Sequence, residues 1–136
     1  MKLKSFTLLL ACFTVLFISC KKDNDDDAGK ATAATIQGKW QIDSIAITQE
    51  FNGNLSKVSY AGKEADYIEF GSDGNMHTYF QNKNNVSTYK VRNDSIITIG
   101  GDSGSIIELT DKKFTLHTRA EAGSLGFLET TYYLKR

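Results

Sequence analysis

The chain has 136 residues, with 16 basic and 16 acidic side chains, eight Phe, six Tyr, one Trp, eleven Gly and no Pro. That length leaves room for one core of about 100 residues once a targeting segment is set aside, and the balanced charge excludes the basic footprint of a nucleic-acid binder. Its two cysteines, Cys12 and Cys20, both fall in the first twenty residues, so the remainder can hold neither a disulfide nor a cysteine metal site.

Met1 to Lys4 gives a positive start, and the apolar run from Phe6 to Ser19 stops on a small residue before Cys20. The run is shorter than the about 20 residues that span a bilayer as a helix, which makes it a signal peptide rather than a transmembrane anchor. Phe17-Ile18-Ser19-Cys20 resembles the bacterial lipobox, with Phe17 where leucine is usual. The resemblance implies cleavage before Cys20 and acylation of that cysteine by palmitate-type chains. Two or three chains together give the stable anchorage that one chain does not.

Lys21-Lys22-Asp23-Asn24-Asp25-Asp26-Asp27 is too charged to bury apolar area and reads as a solvated tether. Its placement resembles the surface-export signal of Bacteroidetes lipoproteins, which implies the outer face of the outer membrane. Reading Asp23, Asp25, Asp27 and Gly29 as a calcium loop fails, because Gly comes one position late and the twelfth position is Ala34 rather than Glu. The expected organisation is a signal peptide at 1–19, a lipidated Cys20 and flexible acidic tether at 20–35, and one domain at 36–136.

The domain alternates from its first residues. Trp40 and Ile42 share one parity and Ile45 and Ile47 the other, so a bulge is expected near Asp43-Ser44. Residues 49 to 65 read as a long connection or hairpin tip, with a short strand-like piece at Lys57 to Tyr60. Tyr67 to Phe70, the turn Gly71-Ser72-Asp73-Gly74, and Met76 to Gln81 form the clearest hairpin. Further strands are expected at Ser87 to Arg92, Ser95 to Ile99, Ser105 to Thr110, Lys113 to Arg119 and Phe127 to Lys135. Turn signals at all-β spacing and the lack of a 3.6-residue period argue against helices. With Trp40 to Thr48 these make eight strands joined by short links, and a meander of eight hides its edges by closing on itself. The expected fold is an all-β, eight-stranded antiparallel up-and-down barrel; a two-sheet sandwich is the alternative, favoured if Lys57 to Tyr60 adds a ninth strand.

Gly38-Lys39-Trp40 matches the Gly-x-Trp signature at the start of lipocalins. Together with Tyr67-Ile68-Glu69-Phe70, Ser72-Asp73-Gly74, Thr88-Tyr89-Lys90-Val91, Ile107-Glu108-Leu109-Thr110 and Tyr132-Tyr133-Leu134-Lys135-Arg136, it resembles the recurring blocks of small lipocalin-like lipoproteins of Bacteroidetes. The resemblance implies a barrel without assigned chemistry. The lipocalins' C-terminal helix and domain cysteines are missing here, so their retinoid or fatty-acid binding does not carry over. An even number of up-and-down strands returns the chain end to the level of its start, so Arg136 or Lys135 is expected beside Trp40 at the closed end, as a cation over the indole.

The chemistry-bearing patterns are weak. Gly101-Asp102-Ser103-Gly104 is similar to the nucleophile motif of trypsin-like proteases, but Ser105 replaces the next glycine and the chain is too short for that fold, so it reads as a hairpin loop. His77 and His117, and the strand acids Glu69, Glu108 and Glu129, fall on the polar parity; neither a metal site nor a catalytic carboxylate pair is expected. No enzyme activity and no cofactor are expected.

The apolar parity runs through Ile68, Phe70, Met76, Thr78, Phe80, Tyr89, Val91, Ile97, Ile99, Ile107, Leu109, Phe114, Leu116, Leu128, Thr130, Tyr132 and Leu134. It forms either a filled core or a cavity whose expected lining is Phe70, Met76, Thr78, Phe80, Tyr89, Leu116, Thr130 and Tyr132, with the threonines orienting a small apolar or amphipathic ligand. In the alternative, a filled barrel is an interaction or structural module that uses loops 49–65 and 120–126. The expected protein is a monomer, held to the outer membrane through Cys20.

Overall fold

The computed structural model describes residues 32–136. The expected signal peptide, Cys20 and the charged run that follows it lie outside the described residues. Residues 32–36 are helical, with Thr32 and Ile36 buried. The last part of the expected tether is therefore packed structure rather than flexible chain.

Nine strands follow: β1 (Gly38–Phe51), β2 (Asn54–Ala61), β3 (Tyr67–Phe70), β4 (Asn75–Phe80), β5 (Lys83–Val91), β6 (Ile96–Ile99), β7 (Asp102–Leu109), β8 (Lys113–Glu121) and β9 (Gly126–Lys135). All pairings are antiparallel, and β1 pairs with β9 as well as with β2 and β3, which closes the ring. A sandwich is ruled out by that closure. The strand-like piece Lys57 to Tyr60 does belong to a ninth strand, yet the barrel remains eight-stranded.

The reason lies in the register. β2 pairs with Ser44 to Phe51, and β3 pairs with Gly38 to Gln41, so both lie along one edge of β1. They also run in the same direction. Together they form one long second strand, interrupted by residues 62–66. The excursion is tied down by Asp66, which is buried: its carboxylate accepts from the Lys63 N–H at 2.8 Å and the Gln81 N–H at 3.1 Å, and its carbonyl accepts from the Ile42 N–H at 3.0 Å. Gly62 is needed where the excursion leaves the sheet, because a Cβ there would lie 1.8 Å from the Ile42 carbonyl oxygen.

Two bulges set which residues face inward. The register of β1 against β9 shifts between Ile42 and Ser44, which turns Trp40, Ile42, Ile45 and Ile47 all to the interior, as expected near Asp43. A second shift, between Ile106 and Glu108, was not anticipated. It buries Ile106 and leaves Ile107 63% exposed, the reverse of the expected parity.

Several turns are tighter than the sequence suggested. Gln81 and Asn82, both at positive φ, join β4 to β5 in two residues, so β5 starts at Lys83 rather than Ser87. Gly100-Gly101 joins β6 to β7, which places Asp102, Ser103 and Gly104 within a strand rather than in a loop.

The core gathers at the end where β1 begins. Trp40, Phe70 and Phe114 are each at most 1% exposed and meet edge-on or tilted at 5.5 to 5.7 Å, with Ile36, Ile42, Ile68, Ile97 and Leu134 around them. The whole ring of paired strands and every residue of this core lie within residues 36–136.

Candidate functional site

The closed end is built around Trp40. Its indole N–H donates to the Ile36 carbonyl at 2.7 Å, which satisfies an oxygen at the end of the 32–36 helix. The Arg136 guanidinium lies 3.8 Å from the indole centroid. The same guanidinium donates to the carbonyls of Ile36 and Gln37, so one cation covers the indole and caps the helix end. Because β2 and β3 count as a single strand, Arg136 returns to the level of Trp40.

Above this floor the barrel is hollow. A cavity of about 160 Å³, open at its rim, lies between β3, β4, β6 and β7 on one side and β8 and β9 on the other. Its lower wall is Ile68, Met76 and Leu116, and Tyr132, Thr78, Thr118 and Thr130 bring hydroxyls to its sides. Leu128, Ala120, Asp102 and Arg119 mark its upper rim. Two broader depressions, of about 410 and 330 Å³, lie on the outer surface rather than inside the barrel. Their linings include the outward-facing Glu69 and His77, or Lys39 and Lys135. They are shallow solvent dips, and the smaller internal cavity is the better-formed site.

Of the residues expected to line a cavity, Met76, Thr78, Leu116, Thr130 and Tyr132 do so. Phe70, Phe80 and Tyr89 do not. Phe70 is 1% exposed and belongs to the floor, packed edge-on against Tyr89 at 5.0 Å. Tyr89 is committed to structure, its hydroxyl donating to the Gly71 carbonyl at 2.7 Å. Phe80 ends β4 and meets Tyr60 edge-on at 6.3 Å, away from the cavity lining. Tyr60 belongs to β2, where the sequence suggests a connection with a short strand-like piece. Thr118, Asp102 and Arg119 are cavity-lining residues that the sequence reading missed; for Thr118 the signal was its place on the parity of Phe114 and Leu116.

The charged groups of the cavity, Asp102 and Arg119, are confined to its rim. Arg119 is bonded by Glu121 and Glu129 and lies 4.0 Å over the Phe127 ring, so its charge is compensated on the outer face. Those carboxylates hold its pKa above the usual arginine value. Burial pushes the Tyr132 hydroxyl above the ordinary tyrosine value, which keeps it protonated as a donor. Among the described residues that hydroxyl and the Thr78 hydroxyl have no protein hydrogen-bond partner. They are free for a ligand. Also among the described residues, no three His, Cys, Asp or Glu side chains converge on a point where a metal ion could bind. His117 is occupied with the Thr131 hydroxyl, 3.0 Å from its Nδ1.

The closed antiparallel barrel, with Trp40 at its floor and a cavity above it, can be set beside the known protein families. The profile of the Lipocalin-like domain family fits residues 36–116. The chain belongs to the lipocalin-like domain family. The matched stretch runs from the end of the 32–36 helix into β8 and covers the Trp40 floor and the β3–β4 wall of the cavity. No curated protein and no solved structure matches the chain. The lipocalin-like barrel fits a ligand-binding role.

Proposed function

We propose that this lipocalin-like protein binds a small, neutral, largely apolar molecule bearing one hydroxyl or carbonyl group, and performs no catalysis. The observation that carries this reading is the cavity above the Trp40 floor, where apolar side chains surround the unpartnered hydroxyls of Tyr132 and Thr78. Size narrows the class. A dry apolar cavity of about 150 Å³ accommodates benzene, whereas drug-sized ligands occupy about 300–1,000 Å³. A cavity of about 160 Å³ therefore favours a single ring or a short chain over a retinoid or a long acyl chain. Its charged side chains, Asp102 and Arg119, lie at the rim, so a charge carried down among the apolar walls would be left unpaired, which favours a molecule whose inserted part is neutral.

The lipobox-like Phe17-Ile18-Ser19-Cys20 and the acidic run after it support a lipid anchor on Cys20 and the external face of the outer membrane. In that arrangement the Trp40 end faces the tether and the cavity mouth faces away from the membrane. Fatty-acid labelling of the wild type and Cys20→Ala tests the anchor, and equal labelling of both would refute it. Native mass spectrometry of the protein recovered from cells tests the ligand. A low-mass adduct is expected in the wild type and not in Thr78→Phe, which fills the cavity; the same adduct on both would place the ligand elsewhere.

A second reading, a non-enzymatic interaction module, is favoured by one observation. The β1–β2 turn and the short 3-10 turn Gly123–Leu125 are joined by the Asn52 N–H donating to the Leu125 carbonyl at 2.9 Å, and Phe51, Leu55 and Leu125 are exposed there. These are the loops in which the sequence places contacts with a partner. Polar substitution of all three leaves ligand binding intact under the first reading and abolishes function under the second.

A further inference from the structure

β2 differs from every other strand of the sheet. It has one neighbour, β1, and no strand lies along its other edge. All eight of its residues are exposed.

The β1–β2 turn fixes which backbone groups face outward. Asn52 and Gly53 both have positive φ, the two-residue hairpin turn that closes on a hydrogen-bonded pair, here Phe51 and Asn54. From there the even-numbered residues of β2 bond to β1, a phase that continues into the Gly62 N–H donating to the Asp43 carbonyl at 2.8 Å. The N–H and C=O groups of Leu55, Lys57, Ser59 and Ala61 therefore point away from the barrel. Natural edges of this length are blunted by proline, bulges or several charges. β2 carries Lys57 alone.

We propose that this free edge pairs with the same edge of a second copy of the chain, so that two barrels share one antiparallel ladder about a two-fold axis. Such an axis keeps inward faces opposite inward faces, so paired residues must have the same parity. Placing Lys57 opposite Lys57 sets like charges against each other, which is unfavourable. One step along, Val58 meets Val58 on the axis, Lys57 faces Ser59, Ser56 faces Tyr60 and Leu55 faces Ala61. All the outward-pointing groups then find partners, and no charge faces another. Registers further along leave more of the strand unpaired.

The same alignment brings Val58 and Tyr60 of both copies together on the inward-facing side of the sheet. In one copy they are 42% and 38% exposed. The expectation of a monomer goes with a ring that has no edge, a condition that β2 breaks.

The test uses residues 32–136, which contain no cysteine. Sedimentation velocity is expected to show a concentration-dependent dimer. Val58→Cys in oxidised glutathione is expected to give a disulfide-linked dimer, since a non-hydrogen-bonded antiparallel pair brings Cα atoms to about 4.5 Å, within disulfide reach. Leu55→Cys should not link, because its own counterpart lies about 20 Å along the strand. Ser59→Pro removes an outward N–H and no bond to β1, and should weaken the dimer by about tenfold or more. A monomer at about 1 mM, with Val58→Cys linking no faster than Leu55→Cys, would overturn the proposal and leave an extended peptide of another protein as the occupant. A dimer in which Val58→Cys does not link would also overturn it, because association would then use another surface.

Discussion

Removing Arg136 tests how the floor of the barrel is held. Arg136→Ala deletes a guanidinium 3.8 Å from the Trp40 centroid and its bonds to the Ile36 and Gln37 carbonyls. A cation over an aromatic face contributes about 0.5–2 kcal/mol, more as it is desolvated. A hydrogen bond from a charged donor adds about 1.5–3 kcal/mol when buried. Arg136 is exposed as a residue, so solvent screening reduces both. The expected loss is about 1–3 kcal/mol, which in a domain of this size lowers Tm by roughly 5–20 °C. Trp40→Phe keeps a ring in place but deletes the indole donor to Ile36 and part of the face under the cation. Urea unfolding followed by far-UV circular dichroism, on both single variants and the double, gives a coupling energy expected at about 0.5–1.5 kcal/mol. A loss under about 0.3 kcal/mol for Arg136→Ala, or additive single effects, would refute the view that one cation joins the last residue to the first strand.

Three further outcomes follow from particular residues. Gly62→Ala should destabilise by about 3 kcal/mol or more in urea unfolding, because its Cβ has 1.8 Å to the Ile42 oxygen and cannot be accommodated without moving β1. Asp66→Ala leaves the Lys63 and Gln81 N–H groups without their acceptor and should cost about 2–4 kcal/mol, with faster amide exchange at Gln81 as the local signature. Stability should fall above about pH 10. Burial raises the folded-state pKa of Tyr132 above the ordinary tyrosine value, and that of Tyr89 likewise. The contribution is thus complete below the unfolded value and is lost as pH rises through the folded one. Tyr132→Phe should flatten that alkaline decline, and an unchanged profile would show that the hydroxyl is not shielded as described.

The parts of the fold that were legible in the sequence are those where burial on one side imposes a period of two. Trp40, Ile42, Ile45 and Ile47 change parity once, and the bulge at Asp43 is where they change. The closed end was legible because strand parity and a terminal arginine constrain each other. β2 was obscure for the opposite reason. A strand with all eight residues exposed has no buried face to imprint a full alternation on Asn54 to Ala61, and only the piece from Lys57 to Tyr60 looks strand-like in the sequence. The described helical residues, 32–36, are too few to show a period. Ile107 misled because a bulge beside it exchanges the faces of two adjacent isoleucines.

For the candidate site, parity places Met76, Thr78, Leu116, Thr130 and Tyr132 on the inner face, and the cavity lies among them. Height along the barrel is what parity cannot give. Phe70 sits below the cavity and Phe80 above the end of the short β3–β4 wall, while Tyr89 is drawn to the Gly71 carbonyl. Asp66 carried no pattern, since its role depends on Gln81, fifteen positions away.

The central claim is that the hollow above Trp40 receives a small neutral ligand through the Tyr132 and Thr78 hydroxyls. Titrating the ¹³C-methyl-labelled methionines of residues 32–136 with benzene and phenol tests it most directly, because Met76 is the sole methionine in that segment and lines the cavity. The account predicts a saturable shift of the Met76 methyl with both compounds. Phenol should bind about tenfold tighter than benzene, an advantage lost in Tyr132→Phe, and Thr78→Phe should show neither response. A Met76 methyl that does not move with either compound, or that moves equally in Thr78→Phe, would contradict it.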